Sequence, residues 1–388
     1  MAGAGIRTHV AASACSTGGK NGNPVSACAN RAISSTSRVP FALFFAASLA
    51  VLREPMQSNV SYAGSRSRYK LGGSTSPGMP MSKGTHDYTP DARNAGIKIN
   101  LNGELVARDE AKVSVFDAGY VLGDGVWEGL RVHDGGLPFL EMHLDRLYEG
   151  AKAIDLDIGL TREALTQRII DTLRANGMRE HVHIRLMVTR GLKATPHQDP
   201  RFVIGPPTIV IVPEYKEPLP ETVERGIRLF TVHVRRGAPD VQDPKLNSHS
   251  KLNCILACIQ AQKAGYDEAL MLDPHGFVST CNSTHFFIVR KGEVWTSTGK
   301  YCLGGITRAN VVRLCRDHSI PVFEKDFSLT DVYGADEAFV TGTFAGLTPV
   351  QEIDGRTIGD GKRGPMCKHL QDIYRQLVET ESRAGVQV

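Results

Sequence analysis

Acidic residues are almost absent from the start of the chain. Residues 1–85 contain a single acid, Glu54, among many lysines and arginines. With nine lysines and arginines against one acid, this segment carries a net charge of +8, whereas the whole chain of 388 residues carries +4 and the remainder is close to neutral at −4. With two tryptophans and no interleaving of basic and aromatic residues, the chain lacks the composition of a nucleic-acid-binding groove. We expect no nucleic-acid partner.

Paired cysteine motifs are also missing. None of the eight cysteines forms a C-x-x-C pair, and no cluster of cysteine and histidine has the spacing of a zinc site. Cys254 and Cys258 lie one helical turn apart in an apolar run, which is typical of buried free thiols in a reducing compartment. The sequence thus predicts no bound metal and no disulfide framework.

The apolar run from Val39 to Leu52 is too short to cross a bilayer comfortably, since that takes about 20 residues. Arg31 and Arg38 precede it, so the run resembles the core of a signal peptide or of an organelle-targeting leader. The alternatives are a leader that is disordered and unused, or translation that starts near Met79 or Met81. We expect a cytoplasmic or organellar protein whose folded part has no stable membrane association.

From Gly96 onward the hydrophobic pattern becomes regular. Strands and helices mix in both halves without a strict βαβ repeat, which favours two α+β domains over a doubly wound sheet. A segment with two prolines, KEPLPETVERG, separates the halves. We therefore divide the chain into a targeting or disordered leader (1–95), a small N-terminal α/β domain (96–213), a linker (214–225) and a C-terminal domain (226–388).

Local patterns predict the individual elements. IKINLNGELVA (97–107) is a short hairpin turned by Asn102 and Gly103. In VSVFDAGYVLGDGVWEGLRVHDG (113–135) a strand, a glycine-rich turn and a second apolar stretch follow one another, and FFIVRKGEVWT (286–296) is another hairpin. Apolar residues at helical spacing predict helices over 143–154, 162–176, 252–264 and 309–318.

Three turns rich in glycine or threonine are candidates for ligand binding: GYVLGDG (119–125), LGGITRAN (303–310) and TGTFAG (341–346). Glycine lets backbone amides approach a ligand, and a helix that follows adds its positive N-terminal end. GGITRAN leads into a predicted helix, so it is a plausible phosphate cup in which Thr307 donates a hydroxyl. The third turn offers further hydroxyls at a strand end.

The order of six segments makes a family resemblance specific. FDAGYVLGDGVWEGLRV, HLDRL, HIRLMVTRG, GYDEALMLDPHGFV, LGGITRANVV and ADEAFVTGTFAGLTPV follow one another with ordinary spacing between about 97 and 365. Together they resemble the class IV aminotransferases, a family that includes branched-chain and D-amino-acid aminotransferases and aminodeoxychorismate lyase. The resemblance implies a two-domain α+β fold (fold-type IV) with a small N-terminal domain and a larger C-terminal pseudo-barrel domain. It also implies pyridoxal 5'-phosphate between the domains, a homodimer, and amino acid and 2-oxo acid substrates.

The resemblance assigns residues to the two ends of the pocket. At the phosphate end, the planar fork of Arg146 would bind the cofactor phosphate, and Ile306, Thr307 and Thr343 would complete the cup. At the substrate end, Arg185 matches the arginine that meets an acidic substrate in branched-chain enzymes.

A histidine in a loop is a second substrate-binding candidate. His197 falls where D-amino-acid enzymes hold a histidine for the substrate carboxylate. The arginine two residues earlier in those enzymes is Thr195 here, so this carboxylate site is incomplete.

The lysine that bonds covalently to the cofactor does not stand at its usual position. Family members have DPRIKSLNYLNNILA where this chain has DPKLNSHSKLNCILA (243–257), so Asn247 takes the lysine position. Lys251, one helical turn or about 5–6 Å away, reaches the same point from a different Cα and is our favoured nucleophile. Lys245 is the alternative, because on a strand end it would point to the same side as residue 247. A third possibility is that neither lysine bonds the cofactor.

A second departure concerns the cofactor's pyridine ring. Thr280 replaces the family's glutamate, which keeps the pyridine nitrogen protonated, and His285 replaces an asparagine. A hydroxyl can hydrogen-bond an unprotonated pyridine but cannot hold a proton on it. Three hypotheses follow: an aminotransferase for small or branched-chain amino acids, a lyase or deaminase that uses the same cofactor, and a non-catalytic binding protein for a phosphorylated ligand.

Overall fold

The computed structural model describes residues 84–388. The predicted targeting run, Val39–Leu52, lies outside the described residues.

Two short 3-10 helices cover Ala92–Gly96 and Pro200–Phe202. The strands are β1 (Lys98–Leu101), β2 (Glu104–Ala107), β3 (Gly125–Val132), β4 (Val182–Thr189), β5 (Thr208–Tyr215), β6 (Ile227–Thr231), β7 (Glu268–Leu272), β8 (Val278–Cys281), β9 (His285–Arg290), β10 (Glu293–Thr296), β11 (Val322–Glu324), β12 (Glu337–Gly342), β13 (Gly346–Ile353) and β14 (Arg356–Thr357). The helices are α1 (Ala118–Leu122), α2 (Leu140–Ala153), α3 (Arg162–Ala175), α4 (Pro220–Arg225), α5 (Pro239–Gln242), α6 (Leu252–Lys263), α7 (Ile306–Asp317), α8 (Leu329–Tyr333) and α9 (Pro365–Ala384).

The first sheet is antiparallel throughout, in the order β2-β1-β5-β4-β3. It begins with the predicted hairpin, which is confirmed: Asn102 and Gly103 both have positive φ, +54° and +100°, and so connect β1 to β2 in two residues. In β4 the residues Val182, Ile184 and Leu186 are buried while the residues between them are half-buried. This alternation directs one face of the sheet toward α2 and α3 and leaves the other face available for a ligand.

The second sheet curls on itself. Its strand order is β11-β10-β9-β12-β13-β6-β7-β8, with β14 paired to β13. Residues 282–284 join β8 to β9, although four other strands lie between these two in the order. Such a short connection between distant strands requires the sheet to bend round until its end approaches its middle. The predicted pseudo-barrel, and with it the two-part α+β fold, is confirmed.

The end of the chain returns to the first sheet. Helix α9 packs against β12 and β13 of the second sheet, and the residues after it reach the first hydrophobic core. There the Leu137 N–H donates to the Val386 carbonyl at 3.0 Å, and the Val388 N–H donates to the Gly135 carbonyl at 2.8 Å. These bonds connect the two halves of the fold on one side of the site.

Two segments differ from the sequence-based expectation. The strand predicted at the start of VSVFDAGYVLGDGVWEGLRVHDG is wrong: residues 113–116 form no ladder with any other part of residues 84–388, and the side chains of Val115 and Phe116 are exposed. Residues 84–95, assigned to the leader, pack against the fold, with Thr85 and Asn94 buried and hydrogen-bonded. Among residues 84–388, no helix has both the length and the apolar character needed to cross a membrane.

Candidate active site

Two adjoining cavities, of about 130 and 470 Å³, lie between the two sheets and share part of their walls. Trp127, Arg185, Asn247 and His285 line both of them. The smaller cavity also contains four of the predicted cofactor-binding residues: Arg146, Ile306, Thr307 and Thr343. The larger cavity contains Lys251 and Thr280.

The N-terminus of α7 opens onto the smaller cavity. No side chain caps the helix, whose N-cap is Gly305, so the first backbone N–H groups are available to an anion. Gly305 also allows a close contact: a Cβ at this position would lie 2.2 Å from His285 Nε2. At the end of β12, the buried hydroxyl of Thr341 has no hydrogen-bond partner among the described residues. Backbone donors and an unpaired hydroxyl on one wall fit a phosphate group.

Arg146 of α2 is held in the cavity wall by a buried carboxylate. Its Nε and Nη2 atoms each donate to Glu128 of β3 at 2.7 Å, and its Nη1 atom donates to the Gly304 carbonyl at 2.7 Å. These three bonds use three of the five guanidinium N–H groups and leave two for a ligand. The bond to Gly304 also connects α2 to the turn that begins α7.

Glu128 is a buried carboxylate that accepts hydrogen bonds from both His143 and Arg146. Its carboxylate is fully buried and lies 2.7 Å from His143 Nδ1 as well as from Arg146. Burial alone would raise the pKa of Glu128, but the hydrogen bonds from His143 and Arg146 outweigh it and lower the pKa to about 2. Glu128 was not predicted as a site residue; its only signal in the sequence is that it is a lone acid inside the apolar strand GVWEGLRV.

Lys251, the last residue before α6, points back at the position that Asn247 occupies. Its Nζ atom donates to Asn247 Oδ1 at 3.1 Å. The Asn247 Nδ2 atom in turn donates to the Trp127 carbonyl at 2.6 Å, which fixes the amide with its oxygen toward the lysine. Desolvation, helped by nearby guanidinium groups, lowers the pKa of Lys251 to about 8. The result is an amine that loses its proton more readily than a surface lysine.

Trp127 forms the wall between this amine and Arg185. Its ring centroid lies 3.7 Å from Arg185 Cζ and 5.4 Å from Lys251 Nζ, and its indole N–H donates to the Ser248 carbonyl at 3.0 Å. Desolvation lowers the pKa of Arg185, although Glu128 and Glu214 oppose this. The indole therefore holds one cation against its face and keeps it near the lysine.

The far end of the larger cavity is polar but uncharged. The Thr280 hydroxyl donates to the Thr284 carbonyl at 2.8 Å, so its proton is already engaged. Burial and nearby arginines lower the pKa of His285 to about 3, and its Nδ1 atom has no partner among residues 84–388. Neither side chain provides the negative charge that a glutamate would supply at this end.

Two predicted residues lie away from these cavities. Lys245 is exposed in the loop between α5 and α6. His197 is exposed in the loop after β4, where its ring meets Phe202 at 5.1 Å and its Nδ1 atom accepts from the Asp199 N–H. Within a single chain, neither residue joins the set that contains Arg146 and Lys251.

Comparisons with known proteins agree on one family. The family model described as amino-transferase class IV matches residues 125–353. The chain is 43% identical to "Branched-chain-amino-acid aminotransferase-like protein 2" of Arabidopsis thaliana over 290 residues, which are 75% of this chain and 52% of that protein. The chain thus spans about half the length of that relative.

Two further matches extend over nearly the whole length of the matched protein. The first is a "Putative branched-chain-amino-acid aminotransferase" of Methanocaldococcus jannaschii, 44% identical over 72% of this chain and 96% of that protein. The second is the crystal structure of the branched-chain amino acid aminotransferase from Thermobaculum terrenum in its PLP-form. It has a TM-score of 0.66 and 27% identity, and the match covers 74% of this chain and 95% of that one.

Proposed function

Because the chain belongs to the class IV aminotransferases, we propose that it transfers an amino group from a small or branched-chain amino acid to a 2-oxo acid, with pyridoxal 5'-phosphate as cofactor. One observation carries the proposal: the amine of Lys251 lines a cavity that adjoins the uncapped N-terminus of α7. A nucleophilic amine and an anion site in one pocket are what this cofactor requires.

The residues present fit the cofactor. When bound, pyridoxal phosphate supplies an aldehyde carbon and a ring that withdraws electrons from the substrate. The backbone N–H groups at the start of α7, the hydroxyls of Thr307 and Thr343, and the two remaining N–H groups of Arg146 would hold its phosphate. The buried, unpaired hydroxyl of Thr341 adds a further donor.

Lys251 would carry out two tasks. Its amine would bond the cofactor in the resting enzyme, and once displaced by substrate it would move the proton at the substrate Cα. A pKa of about 8 suits both tasks, because a useful fraction of the amine is then unprotonated at neutral pH. Asn247, which the family resemblance places at the usual lysine position, would position the displaced amine through its Oδ1 atom.

The two other hypotheses have less support. The lyase or deaminase hypothesis rests on Thr280 alone, whose hydroxyl already donates to the Thr284 carbonyl and is therefore not free to hydrogen-bond an unprotonated pyridine. The non-catalytic hypothesis requires a cup without a nearby nucleophile, whereas the Lys251 amine lines the adjoining cavity. The relatives described above are also named as aminotransferases.

Isotope transfer tests the proposed function directly. The full chain, purified and loaded with pyridoxal phosphate, is mixed with 2-oxoglutarate and one ¹⁵N-labelled amino acid at a time, including leucine, valine and D-alanine. We expect ¹⁵N in the glutamate that forms, measured by mass spectrometry. Release of labelled ammonia without labelled glutamate would instead support the lyase or deaminase hypothesis. No labelled product from any amino acid would contradict both enzymatic hypotheses.

We also propose that two copies of the chain associate through an apolar patch. This patch consists of Val115, Tyr120, Leu122, Leu252 and Ile255, of which Tyr120 is 72% and Leu252 66% exposed. Its two parts are adjacent, because the Ser250 hydroxyl, just before α6, donates to the Gly123 carbonyl, just after α1. Large contiguous apolar surfaces of this kind mark interfaces.

Sedimentation measures the association. We expect a mass of about twice 42.2 kDa for the full chain. Leu252→Glu should shift the mass toward the monomer, because it buries a charge in the proposed interface. Phe323→Glu, which alters an exposed aromatic residue outside the patch, is the control and should leave the mass unchanged. A wild-type protein that sediments as a monomer at all concentrations would contradict the proposal.

A further inference from the structure

A further cavity, of about 480 Å³, lies outside the candidate active site. It shares no lining residue with the two cavities between the sheets. We call it the outer cavity; it is lined by residues 137 and 139–142 at the start of α2, by Ala309, Asn310 and Arg313 of α7, and by Glu381, Gly385 and Val386 near the C-terminus. A volume of several hundred Å³ is typical of small-molecule sites.

Most of the side chains that line the outer cavity are apolar. Leu137 and Leu140 are 2% and 3% exposed, and the Leu137 N–H donates to the Val386 carbonyl at 3.0 Å, which joins two of the walls. Met142 is 37% exposed, so part of the lining is accessible from solvent. The cavity therefore suits an apolar group that enters from outside.

Arg313 and Asn310 give the outer cavity a basic part. They lie on one face of α7, and Arg313 Nη2 donates to Asn310 Oδ1 at 3.3 Å. Arg313 forms no ion pair among residues 84–388, so four of its five N–H groups stay available. The Asn310 side chain is 2% exposed, and its Nδ2 atom has no hydrogen-bond partner in the described part of the chain. A carboxylate beside Arg313 receives charge-assisted bonds and offers an acceptor to the unpaired amide.

The N-terminus of α2 adds to this positive character. The first three residues of α2 line the outer cavity, and no side chain caps the helix, whose N-cap is Phe139. The unpaired backbone N–H groups of a first helical turn carry a partial positive charge that favours an anion. Helix α2 and Arg313 thus favour the same kind of group.

Glu381 of α9 supplies the opposite charge. It lines the outer cavity, and its carboxylate forms no hydrogen bond or ion pair among residues 84–388. Glu141 also lines the cavity and interacts electrostatically with Arg162 of α3. Arg313 and Glu381 therefore border one apolar cavity without pairing with each other, which leaves one charge of each sign for a ligand.

We propose that the outer cavity binds a free apolar α-amino acid, which regulates the protein from outside the active site. Arg313 holds the carboxylate, Glu381 holds the ammonium group, and the apolar lining receives the side chain. A fatty acid has no cation for Glu381, and an alkylamine has no anion for Arg313. A zwitterion with an apolar side chain satisfies all three parts of the cavity.

Two routes connect the outer cavity to the phosphate cup. Asn310 lies one helical turn after Ile306, the first residue of α7. Phe139 lines the outer cavity and stacks on Tyr374 with ring centroids 6.3 Å apart, and the Tyr374 hydroxyl donates to Thr307 Oγ1 at 3.4 Å. Phe139 has a φ of +60°, which a non-glycine residue keeps only where its surroundings fix it. A ligand that packs on Phe139 therefore strengthens cofactor binding, and the cofactor strengthens ligand binding equally.

Calorimetric titration with L-leucine tests the site. The full chain is loaded with pyridoxamine 5'-phosphate, the amino form of the cofactor, which does not react with an amino acid. Arg313→Met and Glu381→Gln should each weaken leucine binding by about tenfold or more. Two analogues, 4-methylpentanoate without the ammonium group and 3-methylbutylamine without the carboxylate, should bind to wild type more weakly than leucine by a similar factor.

The matched controls remove a charge from the same two helices. Arg316 of α7 and Glu379 of α9 each lie within 4.0 Å of an oppositely charged partner and do not line the outer cavity. Arg316→Met and Glu379→Gln should bind leucine like wild type. No leucine binding to wild type, an equal loss in the controls, or wild-type affinity in Arg313→Met or Glu381→Gln would overturn the site. So would loss of leucine binding in Arg185→Met, because leucine would then occupy the active site.

Cofactor-free protein separates the outer cavity from the proposed function, since only the coupling rests on the cofactor. It should bind leucine several-fold more weakly than the loaded protein, and Tyr374→Phe, which removes the hydroxyl at Thr307, should reduce that difference. Equal leucine affinity with and without cofactor would overturn the coupling. Leucine binding that depends on Arg313, in a protein that gives no ¹⁵N transfer, would mean that the proposed function fails and the site stands.

Discussion

Lys251→Ala is expected to reduce amino transfer by about a thousandfold or more, because it removes both the covalent attachment of the cofactor and the proton carrier. The measurement has two parts. The rate of ¹⁵N transfer reports the chemistry, and borohydride reduction followed by digestion and mass spectrometry identifies which lysine carries the phosphopyridoxyl group. In wild type we expect that group on the peptide that contains Lys251.

Lys245→Ala is the matched control. Lys245 lies six residues earlier, is exposed, and lines neither cavity of the site, so transfer and covalent labelling should stay close to wild type. Labelling of Lys245 in wild type, or full labelling and transfer in Lys251→Ala, would contradict the assignment of Lys251 as the nucleophile.

The double change Lys251→Ala with Asn247→Lys returns the lysine to its usual position in the family. Position 247 is buried at the junction of the two cavities, next to Trp127 and Glu128, so an amine there reaches the same pocket from the other side. We expect the double variant to recover part of the transfer that Lys251→Ala loses. Recovery would show that the two positions serve one reacting atom. No recovery together with proper folding would mean that the pocket has become specific for the relocated amine.

Features that depend on short stretches of chain could be predicted from the sequence. The Asn102-Gly103 hairpin follows from two residues that tolerate positive φ, and α2, α3 and α6 follow from apolar residues at helical spacing. The closeness of residues 247 and 251 is also local, since four residues at a helix start span one turn. The catalytic role of Lys251 stays a prediction.

Features that depend on distant contacts could not be predicted. VSVF alternates like a strand, yet no strand among residues 84–388 lies beside it, and the pattern alone does not reveal a missing neighbour. Lys216 lies in the segment predicted as a linker. Its ammonium group lies against the ring of Phe344, more than a hundred residues later, and the sequence does not reveal that contact. Residues 84–88 have no periodic pattern, so the sequence does not distinguish them from the leader before them.

Glu128→Gln is expected to lower the free energy of unfolding by about 3 to 5 kcal/mol at neutral pH. The amide keeps the shape of the side chain but leaves the guanidinium of Arg146 and the ring of His143 beside a neutral group in a buried place. Urea unfolding measures the loss. The cofactor-free and cofactor-loaded proteins should both be examined, because ligand binding adds its own stabilisation. Glu141→Gln, an exposed change on the same helix as Arg146 and His143, is the control and should have little effect.

The pH dependence of stability separates this carboxylate from the rest of the protein. The pKa of Glu128 falls from 4.5 to about 2 on folding, so its contribution is complete above pH 4.5 and is lost as the pH falls toward 2. This lowering of the Glu128 pKa corresponds to about 3 kcal/mol of stability that wild type loses as the carboxylate is protonated. Glu128→Gln has no such carboxylate, so its free energy of unfolding should fall less steeply than that of wild type between pH 4.5 and 3. Burial lowers the pKa of His143, so protonation of this ring also destabilises the fold as the pH falls below its ordinary value of 6.5, in both proteins. Parallel curves for the two proteins below pH 4.5 would contradict the assignment of a charged, stabilising Glu128.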